Sequence, residues 1–403
     1  MPWSIRMLLM FTLASMLFQY YVSRKAIVSI EAVTGWKRKR IKVGAIAVII
    51  WVILYPLLIL GSYYLRLPGL SRALQGSNML LDLLITYPFW LGVILAVQLA
   101  ILFLLLDITK LVLYPVFRKH RERWNRIQAW VVVILVCAGA VYVAARVYND
   151  TFTVRTREAE LRVASLPPEL EGFRIVQIAD LQADGRTGNG KLQPFIDRVN
   201  ALNPDLILFG GDLVTSGIDY IDAGAEAIGE MQARHGIYAC LGDHDFFSNQ
   251  QRVKESLERN GVTVLANVAA IVPVGSSLIS IVGVTNVYRA PANDYTLDAI
   301  EKQRVSGPVN IFLTHQPSIS MVDYAAKRGF ELFVAGHTHG GQIVFPLPGF
   351  LLTGSSFETD YVSGFYRVGS MLVSVNNGLG LTLAPVRYHA PAEVTLIVLR
   401  REA

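Results

Sequence analysis

Two histidines separated by one residue, His337 and His339, are the residues in this sequence that most directly suggest metal chemistry. They lie in the stretch 336–341, whose glycines allow the backbone to pass close to a bulky charged group. Neutral imidazole is the commonest metal ligand among protein side chains. The apolar run 331–335 before the pair is typical of a buried strand. A histidine pair alone is weak evidence, because ordinary loop histidines give the same pattern.

Four further polar blocks lie upstream, and each follows its own strand-like apolar run. The blocks are Asp180-Leu181-Gln182, Gly211-Asp212, Gly242-Asp243-His244-Asp245 and Thr314-His315-Gln316-Pro317. Open α/β sheets place their binding sites at the carboxyl ends of strands, so these side chains are expected to meet at one edge. Carboxylates and imidazoles gathered there could hold two cations about 3.5–4 Å apart, which clamp a phosphoryl group and activate water.

Taken in order, the five blocks resemble the calcineurin-like metallophosphoesterases, whose pattern is Asp-x-His, Gly-Asp, Gly-Asn-His-Asp/Glu, His and Gly-His-x-His. The resemblance covers residues 159–400. Alternating strand-like and helix-like segments in this half also favour an α/β fold. The resemblance implies two packed sheets flanked by helices, a four-layer α/β/β/α metallophosphoesterase sandwich, with two divalent metal cations as cofactors.

For the first metal site, the resemblance implies the ligands Asp180, Asp212 and His339, with Asp212 bridging both cations. Gln182 stands where the family pattern has histidine, and an amide oxygen coordinates more weakly than an imidazole. Asp184 could substitute as a ligand, or it could be a surface aspartate of a polar loop. Two interpretations stay open: a two-metal site with an altered metal preference, or a first site that is weak or empty.

For the second metal site, the resemblance implies His315, His337 and Asp243, the last at a position where the family has asparagine. This exchange adds a negative charge beside the second cation. The more oxygen-rich ligand set favours Mn, although Mg, Fe and Zn also suit mixed imidazole and carboxylate ligands. His244 would face the substrate, stabilising charge on the phosphoryl group or protonating the leaving oxygen. The nucleophile would be a hydroxide held between the two cations.

Each of these residues also has a purely structural interpretation. Asp180 and Asp212 could cap helices that follow strands. His315 could be a hydrogen-bonded core histidine, and His244 could be a turn residue. Because all five blocks occur together and in the family's order, the metal site is the favoured interpretation.

Features outside the five blocks are expected to contribute less. The stretch 376–380 resembles the Gly-Leu-Gly turn near the end of the family's domain, and it is interpreted as a structural turn that could also line the cleft. Arg387 could meet a substrate phosphate or could form a surface ion pair. His235 and His389 are interpreted as structural or surface residues. Substrate-binding residues are not predicted.

The first 150 residues hold the apolar excess of this 403-residue chain, which is 53% hydrophobic. A helix needs about 20 apolar residues to cross a bilayer. Residues 1–150 are therefore predicted to form a transmembrane region with four helices, and residues 151–403 to form the metallophosphoesterase domain. The third helix could tilt or break near Pro88. The four predicted helices are 7–22, 44–65, 79–107 and 129–148.

The formal net charge of +6 is concentrated in two basic stretches, 24–42 and 110–126, which separate apolar segments. Because lysine and arginine mark cytoplasmic loops, the C-terminal domain is predicted on the extracytoplasmic side, of the inner membrane if the source is bacterial. Such local charge gives no reason to expect nucleic acid as a partner. Few ionisable residues interrupt the apolar segments, which favours an anchor; a lipid-presenting groove is the alternative.

These observations predict a membrane-anchored metallophosphoesterase, a hydrolase acting on a phosphorylated substrate that could be a lipid. Retention of His244 favours a diester or a diphosphate. One alternative is a degenerate member of the fold that binds phosphorylated ligands without turnover, which the changes at Gln182 and Asp243 motivate. Another is a transporter or envelope scaffold whose essential part is the helical half.

Overall fold

The computed structural model describes residues 3–76, 78–188, 190, 192–305 and 307–402. Internal contacts divide the chain into two compact units. They are Met1–Asn149 with Leu383–Val386, and Asp150–Thr382 with Arg387–Ala403.

The first unit is helical, and its long helices extend beyond the apolar segments predicted from the sequence. A π-helical turn, Asp82–Thr86, joins the fifth helix to the sixth. The helices are α1 (Trp3–Thr34), α2 (Arg38–Val52), α3 (Leu54–Tyr64), α4 (Pro68–Gln75), α5 (Met79–Leu81), α6 (Tyr87–Phe117) and α7 (Arg121–Phe152), which continues into the second unit.

Three stretches of the described chain are long and apolar enough to cross a membrane: Ile5–Thr34, Met79–Val116 and Arg118–Phe152. The predicted helix 44–65 is instead two helices, α2 and α3, bent by 44° at the break between them. The described residues therefore contain three candidate spans, or four if the bent pair is counted as one, and the predicted number of four is not confirmed.

The helix boundaries were misjudged because basic residues were taken to end the helices. Arg24 and Lys25 lie inside α1, and Lys110 lies inside α6. Lys25 forms an ion pair with Asp107, whose other carboxylate oxygen accepts a 2.6 Å hydrogen bond from the Tyr21 hydroxyl. A charge that is paired in this way can continue in a helix near the membrane boundary.

The predicted break near Pro88 corresponds to a change of helix type and not to an interruption. The π-helical turn ends at Thr86, and Pro88 lies in the first turn of α6, where its missing N–H is tolerated.

The second unit contains fourteen strands and six α-helices in its described residues. Its helices are α8 (Gln193–Asn200), α9 (Ile221–Gly229), α10 (Asp243–Ser248), α11 (Gln250–Arg259), α12 (Asp294–Glu301) and α13 (Ile319–Lys327). Its strands are β1 (Val154–Val163), β2 (Arg174–Ile178), β3 (Leu206–Phe209), β4 (Ile237–Ala239), β5 (Val262–Val264), β6 (Val268–Val274), β7 (Ser277–Val284), β8 (Val309–Thr314), β9 (Leu332–Ala335), β10 (Phe345–Leu347), β11 (Phe350–Leu352), β12 (Gly364–Val368), β13 (Met371–Val375) and β14 (Ala392–Arg401).

The strands form two six-stranded sheets and one hairpin, β10-β11. The sheet orders are β1-β14-β2-β3-β4-β5 and β12-β13-β9-β8-β7-β6. In the first sheet β2, β3 and β4 are parallel neighbours, and in the second β7, β8 and β9 are parallel neighbours. Parallel order brings the carboxyl ends of these strands to the same edge of each sheet.

Within the described residues, three apolar clusters hold the second unit together. One combines buried residues of both sheets, such as Ile175 of β2 and Ile281 of β7. Another combines the first sheet with α8, α9 and α11, and the third combines the second sheet with α12 and α13. The residues of the central strands β3 and β8 are buried on both faces, as expected for parallel strands with continuous apolar runs.

Candidate metal centre

The candidate ligands lie just beyond the carboxyl ends of parallel strands in both sheets. Asp180 is two residues after β2 and Asp212 three after β3, while His315 directly follows β8 and His337 follows β9 by two residues. Asp243 is the first residue of α10, which follows the short loop after β4. The two sheets thus contribute ligands to a common edge, where α/β folds place their sites.

Five of the candidate residues have left-handed backbone conformations, although none is glycine. Their φ angles are 48° for Asp180, 49° for Gln182, 60° for Asp212, 71° for His337 and 51° for His339. Such φ values are uncommon outside glycine, and backbone strain of this kind concentrates at functional sites. The fold therefore holds these side chains in orientations that the local sequence alone would not favour.

Two glycines are required here because the backbone passes close to the candidate carboxylates. A Cβ atom at Gly336 would collide with the Asp180 carboxylate, and one at Gly242 would collide with that of Asp212. The charged groups that the glycine-rich turns approach are thus protein carboxylates.

Two groups of side chains have ligand atoms close enough to bind one cation each. Asp180, Asp212 and His315 form the first group, in which these atoms lie within 4.8 Å of one another. Asp243, His315 and His337 form the second group by the same measure. His315 belongs to both groups because its Nε2 lies 3.4 Å from Asp212 Oδ2 and 3.5 Å from Asp243 Oδ2.

Gln182 and His339 lie beside the first group. The Gln182 amide nitrogen donates a 3.0 Å hydrogen bond to Asp212 Oδ2. His339 Nε2 lies 3.5 Å from Asp180 Oδ1. All the residues that the resemblance assigns to metal binding therefore contact at least one other member of the set.

Three buried polar atoms of this set have no hydrogen-bond partner among the described residues: Gln182 Oε1, His315 Nε2 and His339 Nδ1. Nearly all buried polar atoms in proteins are hydrogen-bonded, so three exceptions beside buried carboxylates need an explanation. Amide oxygen, imidazole and carboxylate are all ligands for divalent cations, and the residues present therefore fit a metal centre.

Burial and mutual repulsion alter the protonation of the carboxylates. Burial, together with the charge of Asp212, raises the pKa of Asp180 to about 7. Burial also opposes ionisation of Asp212, but the neighbouring imidazoles of His315 and His244 outweigh it and hold the pKa of Asp212 below its usual value. A positive charge at the centre would favour the ionised form of both groups.

The same surroundings shift the pKa values of two histidines, His337 and His339. Burial opposes the protonation of His337, yet its bonds to Asp243 and Glu358 raise its pKa to about 9. Burial, reinforced by the Arg387 guanidinium, holds the pKa of His339 well below its usual value. His339 is therefore neutral over the physiological range, the form in which imidazole binds metals.

His244 lies outside both candidate ligand groups and is partly exposed. Its backbone N–H donates a 2.8 Å hydrogen bond to Asp212 Oδ1, and its Nδ1 lies 2.5 Å from the Thr215 carbonyl oxygen. Because Nδ1–H donates to that carbonyl, Nε2 is the ring atom available for proton transfer.

Asp245 anchors the loop that carries Asp212, a role that the sequence did not assign to it. Its carboxylate accepts hydrogen bonds of 2.8–2.9 Å from the backbone N–H groups of Gly242, Asp212 and Leu213. The signal was present, since Asp245 ends one of the five blocks.

Tyr288, Glu358 and Gln316 surround the second group of ligands. Tyr288 N and Gln316 Nε2 each donate a 2.7 Å hydrogen bond to Asp243. The Tyr288 hydroxyl donates a 2.5 Å hydrogen bond to Glu358, which also lies 3.2 Å from His337 Nε2. Glu358 and Tyr288 belong to none of the five blocks, so the sequence offered no signal for them.

The Asp184 carboxylate accepts hydrogen bonds that stabilise the loop in which it lies. One carboxylate oxygen accepts hydrogen bonds from the backbone N–H groups of Arg186 and Thr187, and the other accepts a 3.0 Å bond from the Thr215 hydroxyl. Asp184 is also outside both ligand groups.

Arg387 differs from both of its predicted roles. It is fully buried, and its guanidinium donates hydrogen bonds to backbone carbonyls, including those of Asn377, Gly378 and Gly380. The same side chain also reaches the His339 carbonyl, so it ties the 376–380 turn to the histidine turn. The 376–380 turn packs against the candidate ligands, because a Cβ atom at Gly378 would collide with Asp180.

The sequence of this chain is similar to those of known proteins. The model of the calcineurin-like phosphoesterase family matches residues 173–341. A "transmembrane protein with metallophosphoesterase domain" from Danio rerio is 30% identical over 67% of this chain and 62% of its own length. An "uncharacterized metallophosphoesterase YkuE" from Bacillus subtilis is 30% identical over 65% of this chain and 91% of its own length.

Among solved structures, a putative 5′-nucleotidase from Staphylococcus aureus aligns with 58% of this chain and 55% of its own chain. The identity is 11% and the TM-score 0.36, too low to bear on activity. The alignment with the Danio rerio protein also leaves more than a third of that relative unmatched.

Proposed function

Because the chain belongs to the calcineurin-like metallophosphoesterase family, a family of hydrolases, we propose that it cleaves a phosphate diester or a diphosphate at a two-metal site. Its apolar helices and its relatives named as transmembrane proteins associate it with a membrane. A lipid-linked phosphate is the substrate class that best suits a phosphoesterase anchored in this way.

The single observation that carries the proposal is the position of His315. Its Nε2 is buried and has no hydrogen-bond partner among the described residues, yet it lies 3.4 Å from Asp212 and 3.5 Å from Asp243. A core histidine held only for structure would donate from this atom or accept at it. An imidazole nitrogen that faces two buried carboxylates without hydrogen-bonding to either has instead the surroundings of a metal ligand.

We assign Asp180, Gln182, Asp212 and His339 to the first cation and Asp243, His315 and His337 to the second, with Asp212 shared. When bound, two divalent cations would supply positive charge for the phosphoryl oxygens and would lower the pKa of water toward neutrality. Mn is favoured because carboxylate and amide oxygens make up much of the set.

This chain's own residues would orient the substrate and move protons. The Thr215 carbonyl oxygen holds the Nδ1 side of His244, so its Nε2 can donate a proton to the leaving oxygen. Asp245 fixes the Asp212 loop through three backbone N–H groups and so keeps the shared carboxylate in place.

We further propose the domain boundaries, layering and orientation predicted from the sequence. Residues 151–403 would form a four-layer α/β/β/α sandwich, which the three apolar clusters of the second unit support. Residues 1–150 would form a multi-pass membrane anchor, and the basic stretches 24–42 and 110–126 support an extracytoplasmic position for the sandwich.

The test is hydrolysis of bis-p-nitrophenyl phosphate and p-nitrophenyl phosphate by the full chain in detergent, with Mn, Mg, Zn or a chelator. Asp212→Ala is expected to abolish turnover. The matched control is Asp222→Ala, which removes an exposed aspartate that pairs with Arg252. Turnover that survives chelation, or that Asp212→Ala leaves intact, would contradict the proposal. Faster cleavage of the diester than of the monoester is the expected substrate preference.

One observation favours the alternative, a protein that binds phosphorylated ligands without turnover. The Gln182 amide nitrogen donates to Asp212, the carboxylate that both cations would share. If this bond persists with metal present, the first site would be weak. The number of cations per chain separates the two cases, because one favours the binding protein and two favour the enzyme.

A further inference from the structure

A cavity of about 640 Å³ lies among α1, α2, α6 and α7 in the helical unit. Its volume is in the range of small-molecule sites, which is about 300–1,000 Å³. The α1 wall runs from Gln19 to Ile30, about 17 Å along the helix axis. The cavity is therefore long enough to suit an extended hydrocarbon chain.

Small side chains create this space between the helices. Ala26 of α1, Gly44 and Ala45 of α2, and Gly92 and Ala96 of α6 all line it. The rest of the wall is mostly aliphatic, with Gln19 and Ser23 as its uncharged polar members. In a membrane an apolar cavity of this kind is filled by hydrocarbon and not by water.

The cavity also has a cationic end, where α1 connects to α2. Lys37 and Arg40 line it there, next to the exposed indole of Trp36. Among the described residues no acidic side chain pairs with Lys37 or Arg40, whereas the nearby Glu31 is paired with Arg38 at 3.8 Å. The basic pair thus has charge available for an anionic ligand.

The N-terminus of α2 adds to this positive end. Lys37 is its N-cap residue, no side chain caps the helix, and its first turn contains no acidic residue. Uncapped backbone N–H groups at a helix N-terminus favour an anion, and Trp36 is typical of a membrane interface.

We propose that this cavity binds one anionic phospholipid, with an acyl chain between α1, α2 and α6 and the phosphate at Lys37 and Arg40. A zwitterionic lipid with the same chains would satisfy the apolar wall, but its phosphate charge would be offset by its own amine. The site is a lipid-binding site of the helical unit, and it does not depend on the proposed hydrolysis.

The first test measures lipid retention by the full chain in detergent, using native mass spectrometry. The probes are phosphatidylglycerol and phosphatidylcholine with identical chains, and glycerol 1-phosphate as a head group without chains. The Lys37→Gln/Arg40→Gln variant is expected to lose about 30-fold in phosphatidylglycerol affinity, since each basic residue near the surface contributes about 1 kcal/mol. Glycerol 1-phosphate is expected not to bind.

The matched control is Lys39→Gln/Lys42→Gln, which removes two exposed charges from the same helix that do not line the cavity. It is expected to retain phosphatidylglycerol like the unaltered chain. Equal losses in the two variants would overturn the proposal, because binding would then follow total charge. Equal retention of the two lipids by the unaltered chain would also overturn it.

A second variant tests the acyl chain separately. Ala45→Leu should fill part of the cavity and lower the retention of lipid about tenfold, and unchanged retention would overturn the proposal. Fluorescence of the unaltered chain provides a second measurement, which does not depend on charge or volume changes in the cavity. Brominated phosphatidylglycerol should quench Trp36 more than brominated phosphatidylcholine does, with Trp36→Phe used to subtract the other tryptophans, and equal quenching would count against the site.

Discussion

The Nε2 atom of His337 lies 3.2 Å from the Glu358 carboxylate, while Nδ1 of the same ring lies 3.0 Å from Asp243. The Tyr288 hydroxyl holds Glu358 through a 2.5 Å hydrogen bond. A carboxylate that accepts from the far nitrogen of a metal-binding histidine fixes the ring orientation and raises its basicity. The position of Glu358 is therefore that expected for a residue that fixes the orientation of the His337 ring.

Replacing Glu358 with glutamine should weaken metal binding without unfolding the protein. Loss of such an outer carboxylate typically lowers metal affinity about 10–100-fold. The side chain is 49% exposed, so the unfolding temperature should change little. The measurement is the Mn that remains bound after dialysis against graded chelator concentrations. Asp360→Asn, an exposed acid two residues away, is the control, and equal retention by both variants would exclude this role for Glu358.

Gln182→His should strengthen the first metal site, because imidazole is a better ligand than an amide oxygen. The new ring would also lack the amide nitrogen that donates to Asp212 in the present structure. We expect Mn affinity at this site to rise at least about tenfold, equivalent to 1.4 kcal/mol. Calorimetric titration measures it, with Gln251→His on the exposed face of α11 as the control. Unchanged stoichiometry and affinity would show that position 182 does not contact the metal.

Arg387→Lys should destabilise the second unit because a lysine cannot reach all the carbonyls that the guanidinium serves. Several buried acceptors would lose their donors, which costs about 3 kcal/mol or more. Hydrogen exchange of the strands of this unit reports the loss. The exposed Arg400→Lys should change stability by about 0.5 kcal/mol or less. If Arg387 contacted substrate instead, its replacement would raise KM and leave exchange unchanged.

The gathering of the five polar blocks at one edge could be predicted because the blocks and the strands before them depend on local sequence. Each follows a continuous apolar run that becomes a buried strand, and parallel strands bring their carboxyl ends together. Asp212 and His315, 103 residues apart in the chain, become neighbours at 3.4 Å for this reason. The positive φ angles at Asp180 and His337 were not predictable, because long-range packing imposes them.

Other features depend on tertiary partners that leave no local signal. Glu358 reaches His337 across a loop without a motif, and Arg387 is buried although arginine is usually a surface residue. The predicted helices 7–22 and 79–107 stop before the C-terminal ends of α1 and α6, because the pairing of Lys25 with Asp107 was not visible in the sequence. The bend between α2 and α3, in contrast, does have a local signal that was not used, because Pro56 lacks the N–H that would bond to the Val52 carbonyl at the break.

The metal-free protein should become less stable as the pH rises from 7 to 9. His337 has a pKa of about 9 when folded, against 6.5 in an unfolded chain. Its contribution to stability is therefore complete below pH 6.5 and is lost as the pH rises through 9. The pKa of His315 is also raised, because Asp212 outweighs the effect of burial, so it acts in the same direction. The pKa of His339 is lowered, so its contribution to stability changes with pH only below this range.

Each additional proton that the folded state holds changes the free energy of unfolding by about 1.4 kcal/mol per pH unit. The measurement is the unfolding temperature of the full chain in detergent with chelator, followed by scanning calorimetry of the second unit's transition. His337→Gln should reduce the slope, and His235→Gln should leave it unchanged. With saturating Mn the slope should reverse, because metal binding requires deprotonated ligands and strengthens as the pH rises. An unfolding temperature that stays constant or rises with pH in the presence of chelator would contradict the expected proton uptake at His315 and His337.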